Sequence, residues 1–388
     1  MKVAIDQLEI YNKLASRGAK QAARAVSQMI GSRIQHEVTG VSLVSDTALE
    51  EIFNGQRYVG VQVGLSGGIS GETVLIFDPE AAETLRKRLG PNDTNGLLIG
   101  GAFAELGNIM IGGFVDGWAN HLDTSVDTTP PTYIEASGTR ILPRLIRRDA
   151  TEYGAFLFES RLEAVNGDLS FPIYLIPEYT EFVSLLEGQS SARTVPVEKL
   201  TAFNGFTDQS ATRAAEQIAQ LTGFTTDVCV SQLRFLSFAD IAAEVGTKTY
   251  TSVIFELNGL PSGFFIAMFT EQSAERIADA MVPTGIQSAD DGMKEAAIKE
   301  FGNIITSGFI DGWANTLQSS IEHTPPEFVR DSGADVIQTV RDRLPTEQRY
   351  AFTIETTIEI AEKKAAVQLY VVPDTHELTE ALSALPAQ

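Results

Sequence analysis

Residues 103–120 read FAELGNIMIGGFVDGWAN, and residues 298–315 read IKEFGNIITSGFIDGWAN. Glu105 and Glu300, Asn108 and Asn303, and Asp116 and Asp311 share one offset, so a helix-sized motif occurs twice. Other stretches recur in the same order: SGETVLIF (70–77) with SGFFIAMF (262–269), AAETLRKRL (81–89) with SAERIADAM (273–281), TPPTYI (129–134) with TPPEFV (324–329), and YLIPE (174–178) with YVVPD (370–374). Ordered matches about half a chain apart mark a duplicated domain, not a short-period array. A chain of 388 residues also exceeds the usual size of one hydrophobic core. The matches set the domains at 1–190 and 196–388, with the polar stretch EGQSSARTVPVEK (187–199) as linker.

Each copy reads helix, strands, helix, helix, strands. In the first, KLASRGAKQAARAVSQMIG (13–31) has apolar residues at helical spacing and ends on Gly31, a stop signal. VSLVSD, YVGVQVGL, ETVLIFD, FLFESRLEAV and FPIYLIP are β-branched or alternating stretches, and GLSGGISGE between two of them is a turn. Strands joined by short turns favour an antiparallel sheet, and long amphipathic helices need a sheet face to bury against. The predicted class is therefore α+β. A fainter match, Lys13-Leu-Ala-Ser16 with Glu105-Leu-Gly-Asn108, suggests that each copy is built from two similar halves.

On a helix of 3.6 residues per turn, Glu105, Asn108, Gly112, Asp116 and Ala119 share one face, while Leu106, Met110, Ile111, Phe114 and Trp118 form the apolar stripe opposite. The second copy divides alike: Glu300, Asn303, Ser307, Asp311 and Asn315 against Phe301, Ile305, Phe309 and Trp313. Glycines in a helix cost up to about 1 kcal/mol each relative to alanine, so a merely solvated face would be better made of Ala, Glu and Lys. The expectation is a smooth groove that another backbone approaches closely. An amide both donates and accepts, so it can hold a nucleophilic water in line with a phosphorus atom. A carboxylate three residues away can pair with a partner's lysine.

Composition excludes several classes. Acids number 51 against 29 bases, a formal charge of −22, which repels nucleic acid and suits a protein kept soluble in strong salt; a halophilic source is expected. No apolar run approaches the roughly 20 residues of a membrane span, and MKVAIDQLEIYNK lacks a signal pattern, so a cytoplasmic protein without membrane insertion is expected. The single cysteine, Cys229, rules out an internal disulfide and reads as a small strand residue. His36, His121, His323 and His376 show no metal spacing, so no metal site is expected. GLSGGISGET lacks the lysine of a phosphate loop, and Ser66 and Ser70 lack a nucleophile-elbow context. Arg140, Arg144, Arg147 and Arg148 read as a solvated helix or loop.

The repeated helix resembles the signature of the CheC, CheX and FliY phosphatases: Glu-x-x-Asn on a long helix, followed by a proline. Here that gives Glu105, Asn108 and Pro131, and again Glu300, Asn303 and Pro326. Gly18–Gly31 is similar to the family's first-helix segment, and Gly67–Gly71 to its strand turn, so the resemblance spans most of each copy. It implies two tandem CheC-like domains from a haloarchaeon, each an antiparallel sheet packed on long helices with internal pseudo-twofold symmetry. It further implies a hydrolase acting on a phosphorylated CheY-type regulator. Asn108 and Asn303 would orient water, Glu105 and Glu300 would hold the regulator's lysine, and Pro131 and Pro326 would help bind it. The protein would need no cofactor of its own, since Mg2+ comes with the regulator. Asp116 and Asp311 lie outside the signature, either lining the binding groove or making helix contacts. Where the family often has a second site on the first helix, this chain has Lys13 and Ser16, and Gly205 and Asp208. The residue four before each Glu is Gly101 or Ala296, where the family often has Asp or Ser. The rival function is an adaptor that captures a regulator, a CheD-type deamidase or a motility-switch protein without turnover.

Overall fold

The computed structural model describes residues 2–53, 55–89, 96–122, 124–152, 154–187, 194–281, 290–360 and 365–384. The chain divides into two compact units, Met1–Thr194 and Val195–Gln388.

In the first unit a short strand β1 (Lys2–Ala4) precedes α1 (Ile5–Ile30), β2 (Ile34–Val44), α2 (Asp46–Ile52), β3 (Arg57–Gly67), β4 (Gly71–Phe77) and α3 (Pro79–Leu89). Then come α4 (Gly96–Leu122), β5 (Val126–Thr128), β6 (Thr132–Ser137), a 3-10 turn, α5 (Arg144–Glu152), β7 (Ala155–Ala164), β8 (Ser170–Pro177) and α6 (Tyr179–Glu187). The strands run antiparallel in the order β2-β7-β8-β4-β3, with β5 and β6 both on the outer side of β3. Exchanging β2 with β6, β3 with β7 and β4 with β8 returns the same order reversed, so a pseudo-twofold axis passes between β4 and β8.

The second unit repeats this plan with β9 (Thr194–Pro196), α7 (Val197–Thr222), β10 (Thr226–Ser237), α8 (Phe238–Val245), β11 (Thr249–Gly259), β12 (Gly263–Thr270) and α9 (Glu271–Met281). It closes with α10 (Asp291–Leu317), β13 (Ile321–His323), β14 (Glu327–Ser332), α11 (Gly333–Arg343), β15 (Tyr350–Ile360), β16 (Ala365–Pro373) and α12 (Thr375–Ala384). Its order is β10-β15-β16-β12-β11, with β13 and β14 on the outer side of β11.

Two details correct the sequence reading. The first helix begins at Ile5 rather than Lys13, because Ile5, Leu8 and Tyr11 already stand at helical spacing and bury one face. It stops where expected, at Gly31 with φ 63°. Part of the stretch read as linker is ordered: Thr194–Pro196 is a strand and α7 starts at Val197, while residues 188–193 lie outside the described residues.

Each sheet is covered on both faces, since its strands alternate two apolar sets. In β4, Phe77 meets Phe103 of α4 and Phe171 of β8 on the long-helix face. Val74 and Ile76 join Leu49, Ile141 and Ile146 beneath the short helices on the other. Trp118 of α4 stacks on Tyr11 of α1 at 5.5 Å and meets Phe158 of β7 edge-on, which anchors the far end of α4.

Candidate functional site

The buried stripe of α4 sets its rotation. Leu106, Met110, Ile111, Phe114 and Trp118 are at most 1% exposed. Glu105, Asn108 and Asp116 consequently face outward and are exposed. In α10 the stripe is Phe301, Ile305, Phe309 and Trp313, again at most 1% exposed. There Glu300 and Asp311 are exposed and Asn303 is half-buried. Three residues apart on a helix, the carboxylate and amide have Cβ atoms about 5–6 Å apart and can serve one bound group together. Among the described residues, Glu105, Asn108, Glu300 and Asn303 make no side-chain hydrogen bond or ion pair, so their polar capacity faces solvent.

The glycines do a different job from the one expected. A Cβ on Gly107 would lie 2.3 Å from Cγ1 of Val61 in β3, and one on Gly302 would lie 3.2 Å from Val253 in β11. Gly113 faces the backbone of Gln21 and Ala22 in α1, while a Cβ on Gly308 would come within 2.5 Å of Gln217 in α7. These glycines let the long helix press against the sheet and its partner helix. Of those in the first motif, Gly112 has open space around it. The predicted smooth groove is therefore corrected: the exposed face is a ridge carrying Glu and Asn, seated low on the sheet.

Beside the ridge runs the proline segment. Thr129 N–H donates to the Gly64 carbonyl at 2.9 Å, and its hydroxyl accepts from Gly64 N–H at 2.8 Å. Thr324 repeats both bonds with Glu256, at 2.9 and 3.1 Å. The two prolines that follow have no N–H to donate, so the threonine fixes this chain to the sheet before ladder pairing resumes at β6 or β14. Pro131 and Pro326 are half-buried just beyond the clamp. Contacts on either side tie the segment to the helix. Tyr133 packs on Phe103 at 5.8 Å in the first unit, and Lys299 lies over Phe328 at 6.0 Å in the second. The second unit adds His323, whose Nδ1 donates to the Thr324 carbonyl at 3.0 Å, leaving Nε2 3.4 Å from the Ser307 hydroxyl. Each predicted Glu, Asn and Pro thus occupies the same edge of its unit. Asp116 and Asp311 sit two turns further along the exposed face.

At the first-helix positions, Lys13 is exposed and paired with Glu9 at 3.6 Å, Ser16 is half-buried and Gly205 is exposed. The side chain of Asp208 lies outside the described residues. Gly101 and Ala296 are both exposed. Sequence reasoning missed the threonine clamps, although the repeated TPP carried the signal, and it missed the pairing of Ser307 with His323, which has no counterpart at Gly112 and Thr128. It also missed two buried ties between the first helix of each unit and the sheet: Asn12 Nδ2 donates to the Thr39 carbonyl at 3.3 Å, and Asn204 Oδ1 accepts from Leu233 N–H at 3.0 Å. Among the described residues no cluster of His, Cys, Asp and Glu could hold a metal, and no helix is long and apolar enough to cross a membrane.

A family model described as the CheC-like family matches residues 102–135 and 293–330, which span both ridges and both proline segments. A Halobacterium salinarum protein named "Putative CheY-P phosphatase CheC1" is 30% identical over 194 residues, covering 49% of this chain and 98% of the relative. The Bacillus subtilis protein named CheY-P phosphatase CheC is 21% identical over 192 residues, covering 46% of this chain and 92% of its own. Among solved structures, Thermotoga maritima FliY aligns with a TM-score of 0.38 and 14% identity, over 48% of this chain and 96% of that one.

Proposed function

The chain belongs to the CheC-like family, and from that premise we propose that it hydrolyses the phosphoaspartate of a CheY-type response regulator, once in each unit. Asn108 or Asn303 orients a water in line with phosphorus. The water oxygen bonds to phosphorus as the bond to the aspartyl oxygen breaks, which returns a free carboxylate and inorganic phosphate. Glu105 or Glu300 pairs with a lysine of the regulator, and Pro131 or Pro326 presents a rigid edge beside it. The regulator brings its own Mg2+, so the contribution of this chain is positioning.

The observation that carries this reading is a Glu and an Asn, one helical turn apart, presented unpaired on a rigid ridge in both units. A ridge that only stabilised the fold would pair such groups or replace them. The test is loss of label from a phosphorylated CheY-type regulator in molar salt. Asn108→Ala and Asn303→Ala are each expected to remove one site's turnover. The double variant should lose about 100-fold, the order attached to a misplaced reacting group. A double variant as fast as wild type overturns the assignment, and capture of the regulator with no hydrolysis by the wild type establishes an adaptor instead.

A further inference from the structure

A cleft of about 240 Å3 opens in the second unit between α9, the first turns of α10 and the β11/β14 edge, with Phe328 on its wall. Its floor is apolar: Ala274 is 7% exposed, Ala278 1% and Ile298 2%. Its rim is acidic, with Glu271, Glu275, Asp291 and Glu295 against Lys294 and Arg330. Arg330 is taken up by Glu271, and Lys294 leans to Asp279, outside the cleft, at 3.8 Å. Glu295 is paired with Lys299 at 2.6 Å. Among the described residues Glu275 and Asp291 make no hydrogen bond or ion pair, and they act on Arg330 only through space.

The first unit shows what such a place holds. Where the second unit has Ala278, Ile298 and Glu275, the first has Arg86, Phe103 and Glu83. Arg86 reaches Glu83 at 3.8 Å and Glu135 at 3.5 Å, next to the packed rings of Phe103 and Tyr133. The first unit therefore fills the position with its own guanidinium. The second keeps one of that guanidinium's carboxylates, as Glu275, but substitutes alanine for the arginine and a smaller side chain for the phenylalanine. At the place of Glu135 it has Arg330, turned to Glu271, so a new cation would be held by Glu275 and Asp291.

We infer that the second unit's cleft receives an arginine side chain from the docking face of its protein partner, its stem on Ile298 and Phe328 and its guanidinium between Glu275 and Asp291. This rests on the regulator-phosphatase reading, because the cleft adjoins the ridge of Glu300 and Asn303 through Lys299 and Phe328. The consequence is that the two units differ in affinity for one regulator: the first is closed at this point by Arg86, the second is open.

The test uses the full chain carrying Asn108→Ala, so that turnover reports the Asn303 site alone. The ligand for binding is a CheY-type regulator loaded with beryllofluoride and Mg2+, and for turnover the same regulator phosphorylated. Ala278→Arg supplies in cis the arginine found at this position in the first unit, and Glu275→Gln with Asp291→Asn removes the charge without adding bulk. Each is expected to raise Kd and KM about tenfold, the order of one partly desolvated charged contact, with kcat unchanged. Unchanged Kd and KM in the charge variant overturn the inference, whatever the bulkier variant does. If Asn108→Ala with Asn303→Ala turns the regulator over as fast as the wild type, the underlying phosphatase assignment has failed, and the cleft is then judged on Kd alone.

Discussion

Gly107→Ala should separate close packing from chemistry. The added methyl would sit 2.3 Å from Cγ1 and 2.9 Å from Cβ of Val61, against a comfortable separation of about 3.5–4.0 Å. Val61 is fully buried in the middle of β3 and, being β-branched, cannot swing aside. The helix must lift by roughly 1 Å instead. Overpacking of this kind costs about 1–3 kcal/mol, and replacing a helical glycine by alanine returns up to about 1 kcal/mol, so a net loss of about 1–2 kcal/mol is expected. At Gly302 the same change meets Val253 at 3.2 Å, which needs a shift of only a few tenths of an ångström. There the propensity gain offsets the crowding, and stability should stay within about 0.5 kcal/mol of wild type. A 1 Å displacement of Asn108 should also slow its site on the order of 100-fold. The assays are urea unfolding in molar salt and single-turnover hydrolysis in an Asn303→Ala background. Val61→Ala, which removes the contact at 2.3 Å and keeps the one at 2.9 Å, should restore both in part. The reasoning fails if Gly107→Ala is as stable and as active as its parent, or if Val61→Ala leaves its defects in place.

Acid should weaken the first unit selectively. His36, whose Nε2 lies 2.6 Å from the Thr39 hydroxyl, has its pKa lowered to about 4, by burial first and then by nearby Lys20. The unfolded chain binds that proton near pH 6.5, so stability is lost as pH falls from about 6.5 to about 4, by up to about 3 kcal/mol. His36→Gln should flatten this part of the unfolding profile against pH; an unchanged slope refutes it. In the second unit, Arg234 is 5% exposed and donates at 2.7 Å to both Glu244 and Glu355. Arg234→Met strands two carboxylates and should cost about 3–5 kcal/mol by urea unfolding, partly recovered when both become glutamine.

How much of this was legible depended on whether a residue's role is local. The stripe Leu106, Met110, Phe114 and Trp118 follows from helical period alone, and its burial fixes where Glu105 and Asn108 point. The strand segments and the Gly67–Gly71 turn follow from alternation and from glycine, and Gly67 indeed takes φ 105°. What the sequence withheld is pairing between distant segments. Nothing near Gly107 announces Val61, so its glycine read as an opening toward solvent when it is a contact with the sheet. The short helices on the second face were missed because they are brief and lie against Val74, Ile76, Tyr174 and Ile176, whose alternation says that two faces are apolar but not what covers each. Arg234 was invisible for the same reason, its two partners lying 10 and 121 residues away.

The two units also bear on function by what differs between them. Buried positions were free to change in kind: Ser42 in one is Arg234 in the other, where a charged cluster with Glu244 and Glu355 stands. Such exchanges are tolerated whenever the interior is re-satisfied. The ridge behaves in the opposite way. Glu and Asn recur unchanged although, among the described residues, neither pair contributes a hydrogen bond to its own unit, and the threonine clamp that holds the proline edge recurs with them. Residues that the fold does not use, held beside a segment that the fold takes care to fix, are those a partner would read. The surroundings then diverge at two places only a side chain away, Arg86 against the open cleft at Ala278, and Gly112 against Ser307 with its bond to His323. On the proposed function, two like sites in unlike settings would give one chain two responses to a phosphorylated regulator: the first unit's edge is already closed by its own ion pairs, and the second is left with carboxylates to spare.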